Sequence, residues 1–187
     1  FKKKEYIDNN IVKIISVARF DKQKNHKMLL KAFSNLDPNL KWELNLFGDG
    51  ILLKECKKLA YDLKINDKVN FKGFLNNKEI VKEYHNNDIF VLCSNWEGFP
   101  ITTLEAMREG LPIIITDVGG SSEAILDNYN GFIVENNDIN TLSKKLEKLI
   151  SSRELIDYFS TNSRKIFNKI FRYDIFYKKT ESVIRSI

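Results

Sequence analysis

The carboxylates Glu97 and Glu105 stand eight positions apart in SNWEGFPITTLEAMREG, residues 94–110. A cationic pair, Arg19 and Lys24, lies in VARFDKQKN, residues 17–25. Two carboxylates at this spacing could form an acid/base pair or a hydrogen-bonding clamp, or be a loop end and a helix-start charge. A glycosidase pair flanks one bond at about 5–9 Å and needs one carboxyl with a raised pKa. Nothing around either Glu marks it for that role, so proton transfer is the weaker reading. An Arg fork and a Lys point charge at one strand end suit a diphosphate, although they would serve equally as surface charges.

The elements that must position these groups are legible as periodicity. Short runs rich in β-branched residues occur at 11–18, 41–48, 68–73, 88–94, 111–117 and 131–136. Between them lie helix-period stretches, NHKMLLKAFSNL, ILLKECKKLAYDL, NKEIVKEYH, TTLEAMREG and SSEAILDN, and DINTLSKKLEKLI follows the last run. This alternation predicts a Rossmann-like parallel sheet of about six strands with helices on both faces. The apolar runs at 88–92 and 111–116 fit central strands buried on both sides. After 151 the pattern is purely helical, giving one α/β domain over residues 1–187 with a helical tail, 152–187.

Local signals phase the central helix. Thr102 and Thr103 are candidate caps, with Glu105 in the first turn. Gly110 and Pro112 close it, and Asp138 precedes another helix. Ligands of open α/β sheets bind beyond the carboxyl ends of the strands. Candidate site residues therefore follow the strands: Arg19–Lys24, Gly48-Asp49-Gly50, Lys72-Gly73, Ser94–Thr103 and Asp117–Ser122. Free amides at the start of the 101–103 helix would make an anion site. LFGDG, residues 46–50, lacks the third glycine of a dinucleotide fingerprint, and no acidic residue closes the next strand, which disfavours an NAD-dependent enzyme.

Composition excludes several classes. The 187 residues are 43% hydrophobic and 29% charged, ordinary for a folded domain. No apolar run approaches a membrane span. The start, FKKKEYIDNN, has no apolar region of a signal peptide, and it lacks Met, as an excised piece of a longer chain would. Cys56 and Cys93 lack metal-binding spacing and read as reduced thiols of a cytoplasmic protein, and no metal or other cofactor is expected. The net charge of +5 comes from scattered lysines without an RNA-binding signature, so no nucleic acid is expected. Such a surface would suit an anionic ligand or the inner face of a membrane. His26 and His85 read as surface or helix-start residues.

The ordered segments SVARFDKQKNHKMLLKAF, LFGDG, VNFKGFLNN, DIFVLCSNWEGFPITTLEAMREGLPIIITDVGGSSEAI and NGFIVENND strongly resemble the C-terminal, nucleotide-sugar-binding domain of family-4 (group 1) retaining glycosyltransferases of the GT-B fold. The resemblance implies that Arg19 and Lys24 hold the donor diphosphate and stabilise its leaving charge. It places Glu97 near the sugar hydroxyls, with Gly98, Phe99 and Pro100 along the sugar. It assigns the phosphate to amides around Thr102, Thr103 and Leu104, and the ribose hydroxyls to Glu105. Lys72 and Gly73 would meet the nucleobase, Gly48 would lie at the donor site, and Asp117–Gly120 would form part of the cleft. The donor would be a nucleoside diphosphate sugar, most simply a UDP-sugar, for a saccharide or lipid-linked acceptor in surface polysaccharide or glycolipid synthesis. The acceptor domain of such enzymes precedes this half, so the fragment alone is expected to be inactive. The tail would cross to that domain, leaving Phe171, Tyr173, Phe176 and Tyr177 exposed without it. The alternatives are a non-catalytic nucleotide-sugar-binding module and another GT-B enzyme, such as a sugar-nucleotide epimerase.

Overall fold

The computed structural model describes residues 11–185, with some α7 side chains, Phe176 among them, outside the description. Six strands form one parallel sheet: β1 (Val12–Val17), β2 (Trp42–Phe47), β3 (Val69–Gly73), β4 (Ile89–Leu92), β5 (Ile113–Thr116) and β6 (Gly131–Val134). Their order is β3-β2-β1-β4-β5-β6, with every neighbouring pair parallel. The helices are α1 (His26–Ser34), α2 (Leu53–Asp62), α3 (Asn77–Asn86), α4 (Ile101–Arg108), α5 (Ile139–Ile150), α6 (Arg153–Ile166) and α7 (Tyr173–Arg185).

The central strands are apolar on both sides because each feeds two cores. Ile89 and Val91 of β4 join Ile14, Leu44 and Ile114 beneath α1, α2, α5 and α6. Phe90 and Leu92 point the other way, joining Ile15, Ile113 and Ile115 beneath α3 and α4. Side chains alternate with period two, so one residue of register slip would exchange the two cores. The first part of the tail belongs to this body: Ile156 and Phe159 of α6 are in one core and Ile166 in the other. A π-helical turn, Phe167–Phe171, follows α6.

Helix ends match their chemistry. Asn25, Asp138 and Ser152 each accept a first-turn amide as N-cap, of α1, α5 and α6. At the end of α4, Gly110 at φ 79° lets Leu111 N–H reach Ala106 O at 3.0 Å and Gly110 N–H reach Met107 O at 3.0 Å, a Schellman motif.

Three expectations need correction. SSEAILDN is not a helix but a series of turns. Ser121 Oγ bonds Thr116 O and accepts from Val118 N–H, and Asn130 Oδ1 accepts from Leu126 N–H, so side chains satisfy the backbone in place of a helical ladder. Thr102 and Thr103 do not cap α4: the N-cap is Pro100, which makes no side-chain cap bond. Glu105 is therefore the fifth helical residue, beyond the first turn. The histidines stand as expected, His26 at the start of α1, where it is buried at 3% exposed, and His85 exposed near the end of α3.

His26 carries a prediction. Its ring stacks on Phe20 at 4.0 Å between centroids, and its Nδ1 is buried without a hydrogen-bond partner. Burial lowers its pKa from 6.5 to about 4, with Asp21 opposing and Lys24 assisting. The unfolded chain gains this proton as pH falls below 6.5, while the folded chain refuses it until about 4. Stability is thus expected to fall by ~3 kcal/mol between these pH values from this group. Denaturant titrations of His26→Phe should show a correspondingly flatter dependence, and an unchanged slope would remove His26 as its source.

Candidate functional site

β1 and β4 are neighbours, but the chain leaves β1 towards β2 on one side and leaves β4 towards β5 on the other. A crevice opens where the winding reverses, beyond the carboxyl ends of these strands. The loop 18–25 after β1 and the loop 93–100 after β4 meet there and are stitched together. Asn95 N–H donates to Gln23 O at 2.7 Å, Asn95 Nδ2 to Lys22 O at 2.6 Å, and Asn25 Nδ2 to Asn95 Oδ1 at 3.0 Å.

Across this seam Lys24 Nζ pairs with Glu97 Oε1. The side chains are 16% and 6% exposed, so the pair is largely withdrawn from water. Ser94 Oγ donates to the same Oε1 at 2.7 Å. Gln23 Nε2 lies 3.5 Å from Oε2 and bonds Trp96 O at 3.0 Å. Oε1 is thus closely held, whereas Oε2 has only a long contact from Gln23. Arg19, in the same loop as Lys24, has a 75% exposed side chain 3.5 Å from Asp21, so its guanidinium faces solvent with a weak partner.

Glycines bring the neighbouring loops close. A Cβ on Gly48 (φ 138°) would fall 2.0 Å from Ala18 O, and one on Gly119 (φ 57°) 2.0 Å from Glu97 O. A Cβ on Gly120 would fall 2.4 Å from Gly98 O. Gly48 N–H donates to Gly73 O at 2.8 Å, joining the ends of β2 and β3. Gly73 (φ 76°) and Gly98 are different: a Cβ at either meets nothing within 4 Å. Lys72 is exposed on β3. Asp117 donates its N–H to Val134 O at 2.8 Å and accepts from Ser122 Oγ at 2.6 Å.

The N-terminus of α4 faces this loop cluster. Pro100 is buried, Phe99 and Ile101 are exposed, and Leu104 is partly buried. Thr103 N–H is used by Pro100 O at 3.1 Å, while its Oγ1 is buried without a partner. With no side-chain cap, the first amides of α4 keep their positive end available to an anion. Glu105, partly buried one turn further in, accepts from Tyr84 Oη at 3.0 Å on Oε2. Each of the two carboxylates therefore has its own partners: a lysine, a serine and a glutamine for Glu97, a phenol for Glu105.

The chain matches the model for "Glycosyl transferases group 1" over residues 1–166. It belongs to the group 1 glycosyl transferases. Among related proteins, the Campylobacter jejuni N-acetylgalactosamine-N,N'-diacetylbacillosaminyl-diphospho-undecaprenol 4-alpha-N-acetylgalactosaminyltransferase is 30% identical, over 84% of this chain and 43% of its own. The Escherichia coli UDP-Gal:alpha-D-GlcNAc-diphosphoundecaprenol alpha-1,3-galactosyltransferase is 31% identical, over 67% of this chain and 31% of its own. Anabaena HepE, crystallised with UDP and glucose, superposes with a TM-score of 0.86 at 21% identity, over 95% of this chain and 49% of its own. The chain spans less than half the length of these relatives. Its sheet is that of one half of a GT-B glycosyltransferase.

In this group 1 domain, the candidate ranges after β1 and β4 contained Gln23 and Ser94 without a role for either, and Tyr84 lay outside every range. The signal for the first two was position alone, Gln23 beside Lys24 after β1 and Ser94 at the end of the β4 run. Tyr84 had none, being an aromatic at a helical core position. The cysteines are free and buried, and burial pushes their thiols up to about 11 for Cys56 and about 12 for Cys93. Among the described residues no cluster of three or more His, Cys, Asp or Glu could hold a metal ion, and no helix is long and apolar enough to cross a membrane. In the tail, Tyr173 and Tyr177 are 81% and 55% exposed, whereas Phe171 is partly covered and packs 5.9 Å from Phe99.

Proposed function

We propose that this chain is the donor-substrate domain of a retaining glycosyltransferase, binding a UDP-sugar in the crevice between the ends of β1 and β4. The observation that carries the reading is the convergence there of Arg19, the Lys24–Glu97 pair and the uncapped start of α4. Two cations and a helix N-terminus suit a diphosphate, and the carboxylates suit neighbouring hydroxyls.

Lys24 has three N–H donors, so one can hold Glu97 while others turn to phosphate. Arg19 adds a solvent-facing guanidinium, and the α4 amides near Thr102, Thr103 and Leu104 add fixed dipoles. Glu97 offers Oε2 to a sugar hydroxyl, because Lys24 and Ser94 both hold Oε1. Gly98, Phe99 and Pro100 line the sugar, Glu105 receives the ribose, and the open surface at Lys72 and Gly73, beside the closely packed Gly48, receives the base. As the carbon–phosphate-oxygen bond breaks, negative charge grows on the diphosphate, where Arg19, Lys24 and the helix amides oppose it. In a retaining transfer the departing phosphate takes the acceptor hydroxyl proton, so this half needs no general base, and the reading requires no metal. UDP as the nucleotide follows the name of the Escherichia coli relative, and a lipid-linked acceptor follows the names of the Escherichia coli and Campylobacter jejuni relatives; a saccharide acceptor in surface polysaccharide or glycolipid synthesis is the companion reading. An acceptor domain in the remaining half, a peripheral membrane contact and a cytoplasmic site of action belong to the same reading, as does inactivity of this chain alone.

The test is a thermal-shift and calorimetric comparison of UDP, UDP-hexoses and uridine with this chain. UDP at one hundred times its Kd should add about 2.7 kcal/mol of stability, roughly 5–10 °C for a domain of this size. Arg19→Ala should weaken UDP more than uridine. No shift with any nucleoside diphosphate or its sugar at millimolar concentration would overturn the reading.

A further inference from the structure

Tyr84 is among the largest fully buried side chains of the protein, yet it ends in a polar atom. Its ring lies on α3, 6.2 Å from Phe90 of β4, and its hydroxyl reaches across to α4. There Oη stands 3.0 Å from Glu105 Oε2 and 3.5 Å from Thr102 O. Burial, the Glu105 charge and its hydrogen bond raise the phenol far above its ordinary pKa, so it remains a donor at any working pH.

Both ends of α3 are anchored. An Asn76–Glu79 capping box fixes its start. Beyond its end, Asn87 accepts from Asn45 of β2 at 3.0 Å and donates to Glu83 O at 2.8 Å, tying the helix to the sheet. The phenol is therefore a fixed donor on a fixed element. A Glu on a helix surface otherwise samples many rotamers, and ordering it costs conformational entropy on binding. Here one lone-pair position of Oε2 is already taken and the carboxylate is already oriented.

We propose that Tyr84 is a positioning residue for the nucleotide ribose, acting through Glu105. The inference rests on the reading that Glu105 accepts from the ribose hydroxyls. A carboxylate held by Oε2 presents its remaining lone pairs in a constant direction, so two vicinal hydroxyls meet a preformed acceptor. Discrimination between ribose and its deoxygenated forms then depends on residues of two helices, α3 and α4.

The experiment measures Kd for UDP and 2′,3′-dideoxy-UDP by calorimetry, with melting curves, on the chain and on Tyr84→Phe, Glu105→Gln and the double variant. Loss of hydrogen bonds to a carboxylate should make the unaltered chain bind UDP roughly tenfold tighter than the dideoxy form. Tyr84→Phe should shrink that ratio severalfold and leave dideoxy-UDP affinity nearly unchanged. The double variant should match Glu105→Gln, because Tyr84 acts only through Glu105. A residue of purely structural importance would lower the melting point and weaken both nucleotides alike. A full ratio in Tyr84→Phe, with the ratio lost in Glu105→Gln, would overturn the inference and leave the ribose assignment standing. A full ratio in Glu105→Gln would overturn the ribose assignment itself. If Tyr84→Phe does not fold, a double variant that folds but discriminates differently from Glu105→Gln would equally overturn the inference.

Discussion

Lys24→Ala is expected to abolish measurable UDP binding and to destabilise the fold by about 2–4 kcal/mol, since removing one partner strands the other charge in a dry site. The second effect follows from the environment of the pair: Lys24 and Glu97 are 16% and 6% exposed, unlike ordinary surface pairs. Ser94 and Gln23 still contact the stranded carboxylate, which keeps the loss below the largest seen for buried pairs. Lys24→Met combined with Glu97→Gln should recover most of the stability, because neither charge is then left alone, and should recover no UDP binding. Urea unfolding and calorimetry on the single and double variants measure both quantities. Unchanged stability in Lys24→Ala would mean that water solvates the pair. Tight UDP binding by the double variant would remove Lys24 from the phosphate site.

The second large effect concerns the glycines. Gly119→Ala should cost about 2–4 kcal/mol, as backbone strain and an overpacked contact combine. The φ of 57° disfavours a side chain, and the new Cβ would meet the Glu97 carbonyl at 2.0 Å. Relief requires moving the loop that holds Glu97, so UDP-sugar affinity should fall as well. Gly98→Ala is the informative contrast, because a Cβ there has nothing within 4 Å. It should keep its stability and still bind UDP-sugar less well, since the open space at Gly98 is proposed to be sugar space. Denaturant midpoints and donor affinities of the two variants separate these cases. A Gly119→Ala chain as stable as the parent would show that the loop yields freely.

Much of this was open to reading before any fold was known. The strands appear where β-branched runs stand, because a strand buried on both faces has little room for polar residues. The caps at Asp138 and Gly110 follow from local chemistry within a few residues. The misread segment, SSEAILDN, had helix-like composition, but its serines and nearby asparagines satisfy the backbone locally, which periodicity does not register. The shift of the α4 cap from the threonines to Pro100 likewise depends on the path of the preceding loop. That shift moves Glu105 out of the first turn and replaces a helix-end explanation for its placement by a hydrogen bond from Tyr84.

By itself, then, the sequence determined the doubly covered parallel sheet and the residue types gathered at the strand ends, while the winding reversal between β1 and β4 came from the fold. Apolar periodicity and local capping act over a few positions, so a linear reading captures them. The tertiary structure alone decided the partnerships: Lys24 with Glu97 across 73 residues, Ser94 and Gln23 on the same carboxylate, and Tyr84 with Glu105 across 21. Those pairings depend on how neighbouring strands place their exit loops and how α3 lies against α4. They also set which oxygens are held and which stay open, a matter of distance and direction in space that spacing along the chain does not encode.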